Sequence, residues 1–321
     1  MRLSPLSAEA EIIKRSIWKA FEKTPFPRAI VPVVPVQKDL SLDEAWVLDH
    51  LDYRKWAELT LDTMIGIRTD FFWWLTPQAA AYYLPAYLTA CLNIREADIM
   101  VDHTIDQLAG ENIYNEWMNL ITLEQGIAIL QWLAFMVTEQ DKLRRDHHPY
   151  KDLSKGITIW VNFGIENLSK ASDHAFQSVR RPKVFIEPST RLKYPETELI
   201  LDELERSQSN ELSPDSLSAF GDSLYYYLTP HGFQYYLPTL LKACLSVRIS
   251  DKLIPAMIEA LTPNSDLEEH FQAMINPLNM TQREMILRFL CLIYTRHSFK
   301  LMSYRSCCDA LRFWSLLGES T

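Results

Sequence analysis

A chain of 321 residues with 48% hydrophobic and 12% aromatic residues is long enough for two ordinary domains and apolar enough to give each a core, which excludes intrinsic disorder. Its formal net charge of −9 runs against general binding of nucleic acid or an anionic membrane, since both need an excess of Lys and Arg to neutralise phosphate. Five cysteines, an odd number without a C-x-x-C pair, argue against a disulfide framework and against a zinc site of ordinary spacing.

The opening MRLSPLSAEAEIIKRS carries charge where a signal peptide needs an apolar core, and no apolar run reaches membrane-span length, so a cytoplasmic placement is expected. Ile12, Ile13, Ile17 and Phe21 form an amphipathic stripe that predicts a helix. Between Thr24 and Gln37, Pro25, Pro27, Pro32 and Pro35 forbid one, and an extended run with a short edge strand near 29–36 is expected. Leu42, Trp46, Leu48 and Leu51 make a second helical stripe.

The aromatic run Phe71, Phe72, Trp73, Trp74 then leads into L-T-P at Leu75. Thr76 suits an N-cap, and Pro77 suits the first helical position, where its missing N–H costs nothing. Pro85 falls inside the same helix and removes a backbone bond, so a kink is expected there, with a tyrosine hydroxyl capping the freed carbonyl of Ala81. Tyr82 and Tyr83 precede it. Neighbours on a helix diverge, so one ring of the pair is expected to reach a groove or the other half of the chain.

Asp98, Asp102 and Asp106 follow at four-residue spacing, with His103 beside them, opposite Val101, Ile105 and Leu108. Such a ladder suits either a solvated face or a divalent cation, and the solvated face is preferred. Ile127, Leu130 and Phe135 predict another helix. From Gln140 to Gly156, apolar periodicity stops and charge, His147, His148 and proline accumulate, which reads as a linker between domains 1–145 and 156–321.

Past this stretch the chain repeats itself. At an offset of 153 residues, Thr76 meets Thr229, and ten of the eighteen positions from Trp74 to Cys91 are identical. The register extends to Asp49 with Asp202, Leu51 with Leu204, Asp98 with Asp251, Leu108 with Leu261 and, after a small insertion, Gln125 with Gln282. A period this long predicts two tandem copies of a whole helical domain, related by a pseudo-twofold. Thr229, Pro230, Tyr235, Tyr236 and Pro238 then repeat the capped, proline-bent helix, with Tyr226 just ahead of it. The basic stretch Arg283 to Arg312 reads as a solvated helix face.

The pattern L-T-P, four variable residues, Y-Y-L-P, at Leu75 to Leu88 and at Leu228 to Leu241, resembles that of an uncharacterised family of bacterial proteins, a domain of unknown function that usually occurs singly. Members read Phe-Arg where this chain has Ala80 and Ala81 in one copy and Phe233 and Gln234 in the other. The resemblance implies a helical fold and brings no activity with it.

No Gly-rich phosphate loop, G-x-S-x-G elbow or H-E-x-x-H helix is present. A mainly α, acidic chain without a catalytic set is expected to be a non-enzymatic binding protein that grips a basic protein partner, as an immunity protein grips a toxin domain. No cofactor or metal is expected. The surface expected to carry binding comprises Trp73, Tyr82, Tyr83, Tyr226, Tyr235, Tyr236, Asp98, Asp102 and Asp106. The competing expectation is an enzyme with a pocket beside the bent helix, with the aspartate ladder or the tyrosine hydroxyls as acid, base or metal ligands.

Overall fold

The computed structural model describes residues 6–30, 49–51, 53–66, 75–110, 115–143, 150, 152–186, 202, 204, 206, 212, 228–245, 250–263, 268–297, 307 and 309–314. The described chain is mainly helical, as expected, and folds as two compact units, Met1–Gly164 and Ile165–Thr321. The aromatic run at 71–74, Tyr226, His147, His148 and the proline segment beyond Ile30 lie outside the described residues.

In unit 1, Ser7 starts helix α1 (Ala8–Phe21) by accepting the Ala10 N–H at 3.1 Å, with Glu9 and Glu11 in the first turn, where the helix dipole favours acids. Ala10, Ile17 and Phe21 are buried. Ile12, expected in this stripe, is 57% exposed, because at about 100° per residue it lies roughly 160° from the face that Ala10, Ile17 and Phe21 define. After a 3-10 turn (Trp56–Glu58) come α2 (Leu61–Gly66), α3 (Pro77–Ala90), α4 (Ile94–Ala109), α5 (Asn115–Met118) and α6 (Leu123–Leu143).

Helix α3 is the strut of the unit. Its residues from Ala79 to Leu88 are all buried, and α1, α2, α4, α5 and the 3-10 turn all pack against it. A helix apolar all round can be stable only when enclosed in this way. It runs on through Pro85, and the burial of its neighbours offsets the lost backbone bond.

Helix α7 (Leu153–Phe176) starts inside the stretch that reads as a linker. The division between the units falls inside it, at Gly164. Its first half completes the core of unit 1: the Trp160 indole donates to the Leu108 carbonyl at 3.2 Å, and the Phe163 ring lies against Gly126 so closely that a Cβ there would sit 2.5 Å from it. Of the stretch that reads as a linker, residues 140–143 belong to the end of α6 and 153–156 to the start of α7.

Unit 2 continues with α8 (Pro230–Leu245), α9 (Ser250–Ala260), α10 (Glu268–Ile275) and α11 (Met280–His297), and residues 309–314 are again helical. Helices α9 and α10 pack on α8. Ile186 and Leu228 form an isolated antiparallel bridge just before α8. The Trp314 indole donates to the Leu261 carbonyl at 2.8 Å.

Candidate functional site

Each L-T-P threonine does two jobs. Thr76 accepts the Ala79 N–H at 3.2 Å, and its hydroxyl donates to the Ala29 carbonyl at 2.7 Å while its own N–H donates to Ile30 at 2.9 Å. Thr229 accepts from Gly232 at 3.1 Å, donates through its hydroxyl to Val184 at 2.9 Å and through its N–H to Phe185 at 2.7 Å. A hydroxyl both accepts and donates, so one residue caps a helix and clamps the extended segment that precedes it.

The tyrosines are placed otherwise than expected. Tyr82 and Tyr83 are both buried, because the chain around Phe26 and the turn at Arg54–Trp56 close over the helix: Phe26 stacks edge-on against Tyr82 at 5.1 Å and the Tyr83 hydroxyl donates to the Arg54 carbonyl at 3.1 Å. Tyr236 is also buried and its hydroxyl donates to Leu204. These hydroxyl protons leave the helix for another segment and do not cap the carbonyls freed by Pro85 and Pro238. Tyr82, Tyr83 and Tyr236 are therefore core residues and leave the expected binding surface, while Tyr235 is half-buried beside Phe185. Burial pushes the Tyr83 and Tyr87 phenols above their usual range.

Two surface features have chemistry to offer. On unit 1, Asp102 and Asp106 are exposed on α4, and Asp98 stands one turn earlier on the same helix. Asp106 meets Asp152, which arrives with the start of α7. Partial burial, then a hydrogen bond with Asp152 and the charges of Asp152 and Asp102, raise the Asp106 carboxyl above its ordinary value, against a small opposing effect of His103. Among the described residues no Lys or Arg forms an ion pair with Asp102, Asp106 or Asp152.

On unit 2, a groove of about 770 Å³ opens where the segment Ser178–Val184 passes the first turns of α8 and α11. Arg180, Arg181, Lys183 and His231 line it. Gln234 joins the two helices beneath it, donating to the Gln282 side chain at 2.9 Å and to the Pro277 carbonyl at 3.0 Å. The resembling family has arginine at this position; here glutamine makes a structural bridge. Sequence reading missed the groove because its cations lie outside the repeated phrase, in the run S-V-R-R-P-K ahead of the clamp. That local density of three cations was the available signal.

The comparisons bear mainly on unit 2. Residues 166–315 match the model of a family of unknown function (DUF6714), a stretch that begins at the second residue of the unit. No curated protein and no solved structure matches the chain.

Proposed function

We propose that the chain is a non-enzymatic protein-binding module built from two tandem copies of one helical domain, acting as an immunity-type inhibitor or adaptor toward a basic protein partner. The duplication is supported by internal hydrogen bonds that recur at nearly constant spacing. Thr76 and Thr229 hold paired carbonyls of the preceding segment. Trp160 and Trp314 donate to Leu108 and Leu261. Thr122 with Gln125, and Asn279 with Gln282, form matching reciprocal caps.

The basic partner rests on one observation, the crowding of Asp102, Asp106 and Asp152 on unit 1, with no Lys or Arg ion-paired to them among the described residues. Like charges held together raise the free energy of the unbound surface, and a docked Lys or Arg would lower it. The net charge of −9 adds long-range attraction that speeds encounter and fades with salt. The test is capture of partners from host lysate by the full chain and by Asp102→Lys with Asp106→Lys, with identification of what is retained. A basic protein held by the parent chain at low salt and lost from the variant supports the reading. A chain that captures nothing, or captures equally after charge reversal, overturns it.

A further inference from the structure

We propose that the groove of unit 2 is a binding site for a small organic oxyanion, a molecule bearing two or more phosphate or carboxylate groups. This goes beyond the protein-partner reading and does not depend on it, because the groove and the acidic cluster belong to different units.

The first ground is charge set against context. In a chain of net charge −9, Arg180, Arg181 and Lys183 stand within four residues of one another and line one concave surface with His231. Arg180 and Lys183 are exposed and have no acidic partner among the described residues. Unpaired cations around a concavity focus potential inside it, and guanidinium forks match carboxylate and phosphate geometry.

Rigidity is the second. The segment that carries the cations is fixed by the Thr229 clamp on Val184 and Phe185. Phe185 is buried, lies under the Arg181 guanidinium at 5.2 Å, and meets the rings of Tyr235 and Tyr236 at 5.8 and 5.5 Å. A site held in place before binding loses little entropy on capture.

The third is what lies beneath. Gln234 and Gln282 tie the first turns of α8 and α11 together, so the positive ends of helices of 16 and 18 residues open on the same groove. Pro182, Val184 and Pro230 add an apolar wall, which suits the carbon body of an organic anion better than a bare inorganic ion. The volume falls in the range of small-molecule sites, about 300–1,000 Å³.

The corresponding place in unit 1 keeps only one of the three cations. Aligning the clamped carbonyls of Ala29 and Ile30 with those of Val184 and Phe185 puts Pro25, Phe26 and Arg28 where unit 2 has Arg180, Arg181 and Lys183, and Gln78 stands for His231. Phe26 there packs on Tyr82. Arg28 thus answers Lys183, while Arg180, Arg181 and His231 have no basic counterpart beside the clamp of unit 1.

Titration calorimetry of the full chain at low salt with pyrophosphate, ATP and citrate tests the assignment. Binding of at least one is expected, with affinity reduced about tenfold or more in Arg180→Glu with Lys183→Glu and with thermal stability of the unliganded variant unchanged. Preference for pyrophosphate and ATP identifies a phosphate ligand, and preference for citrate a carboxylate one. Absence of binding by all three, or equal binding by the double variant, overturns the proposal. Binding of a Glu-rich peptide alone also overturns it, in favour of a protein ligand.

Discussion

The Trp160 indole reaches the carbonyl of Leu108, the penultimate residue of α4, at 3.2 Å, and its ring lies 5.8 Å from that of Trp117. Unit 1 therefore needs residues well beyond the charged stretch at 140–152. A chain ending at Gly164 is expected to unfold cooperatively in urea, whereas one ending at Arg145 loses Trp160 and Phe163 from the core. Removing a buried tryptophan costs about 3–5 kcal/mol, a large part of a domain's stability. Equal midpoints for the two chains would contradict this.

Thr229→Val keeps the shape of the side chain and removes both hydroxyl bonds. A loss of about 1–2 kcal/mol is expected from the cap together with the clamp, read as a lower urea midpoint. Thr229→Ser should retain most of the stability, since it keeps the hydroxyl. Val and Ser variants of equal stability would show that the hydroxyl does nothing.

A methyl group at Gly232 would meet the Phe185 carbonyl at 2.6 Å and the Thr229 hydroxyl at 3.1 Å. Gly232→Ala is therefore expected to push the clamped segment away and cost about 1–3 kcal/mol, the range for overpacking. The corresponding residue of unit 1 is Ala79, already buried with its Cβ in place, so Ala79→Gly is expected to cost only about 1 kcal/mol through helix propensity. Thermal melts of both variants check the contrast.

The raised carboxyl of Asp106 makes stability depend on pH. The folded chain holds this proton more tightly than the unfolded chain, whose carboxyl titrates near 3.8. Its contribution is therefore fully present below that value and lost as pH rises through the folded value. Asp152→Asn removes the main repulsion and is expected to stabilise the chain slightly at pH 7, within about 0.5 kcal/mol as is usual at a surface. The gain should shrink toward pH 4. Melting curves across this range decide it, and a gain that grows on acidification would reverse the assignment.

Cys91 is fully buried against Thr104, and burial pushes its thiol up to about 12. It should resist thiol reagents in the native state and react on unfolding. Mass mapping of a labelled native sample gives the answer, and prompt modification of Cys91 would refute its enclosure.

Much of the helical frame could be read from local chemistry. The Thr76 and Thr229 caps, the prolines after them and the repeated phrase all act within a few residues, and the structure places each threonine at a helix start. The fate of Tyr82 and Tyr83 could not be read that way. Their burial depends on Phe26 and Arg54, residues some 30 to 60 positions away, and helical periodicity says nothing about a lid supplied from elsewhere. The place of Trp160 in unit 1 was not legible for a related reason: its indole bonds to Leu108, 52 positions earlier, across the polar run that reads as a linker. The groove escaped because its cations are separated from its two helix ends by about fifty and about a hundred residues, and the clamp that brings α8 beside them is a long-range contact.

The clamp also divides labour among neighbouring positions. Thr229, Gly232 and Phe185 hold backbone to backbone, whereas Arg180, Lys183 and His231 project outward from what they hold. Exchanging the outward set leaves the joint intact, so what the rim recognises can drift, or be re-engineered, on a hinge-pin that stays the same.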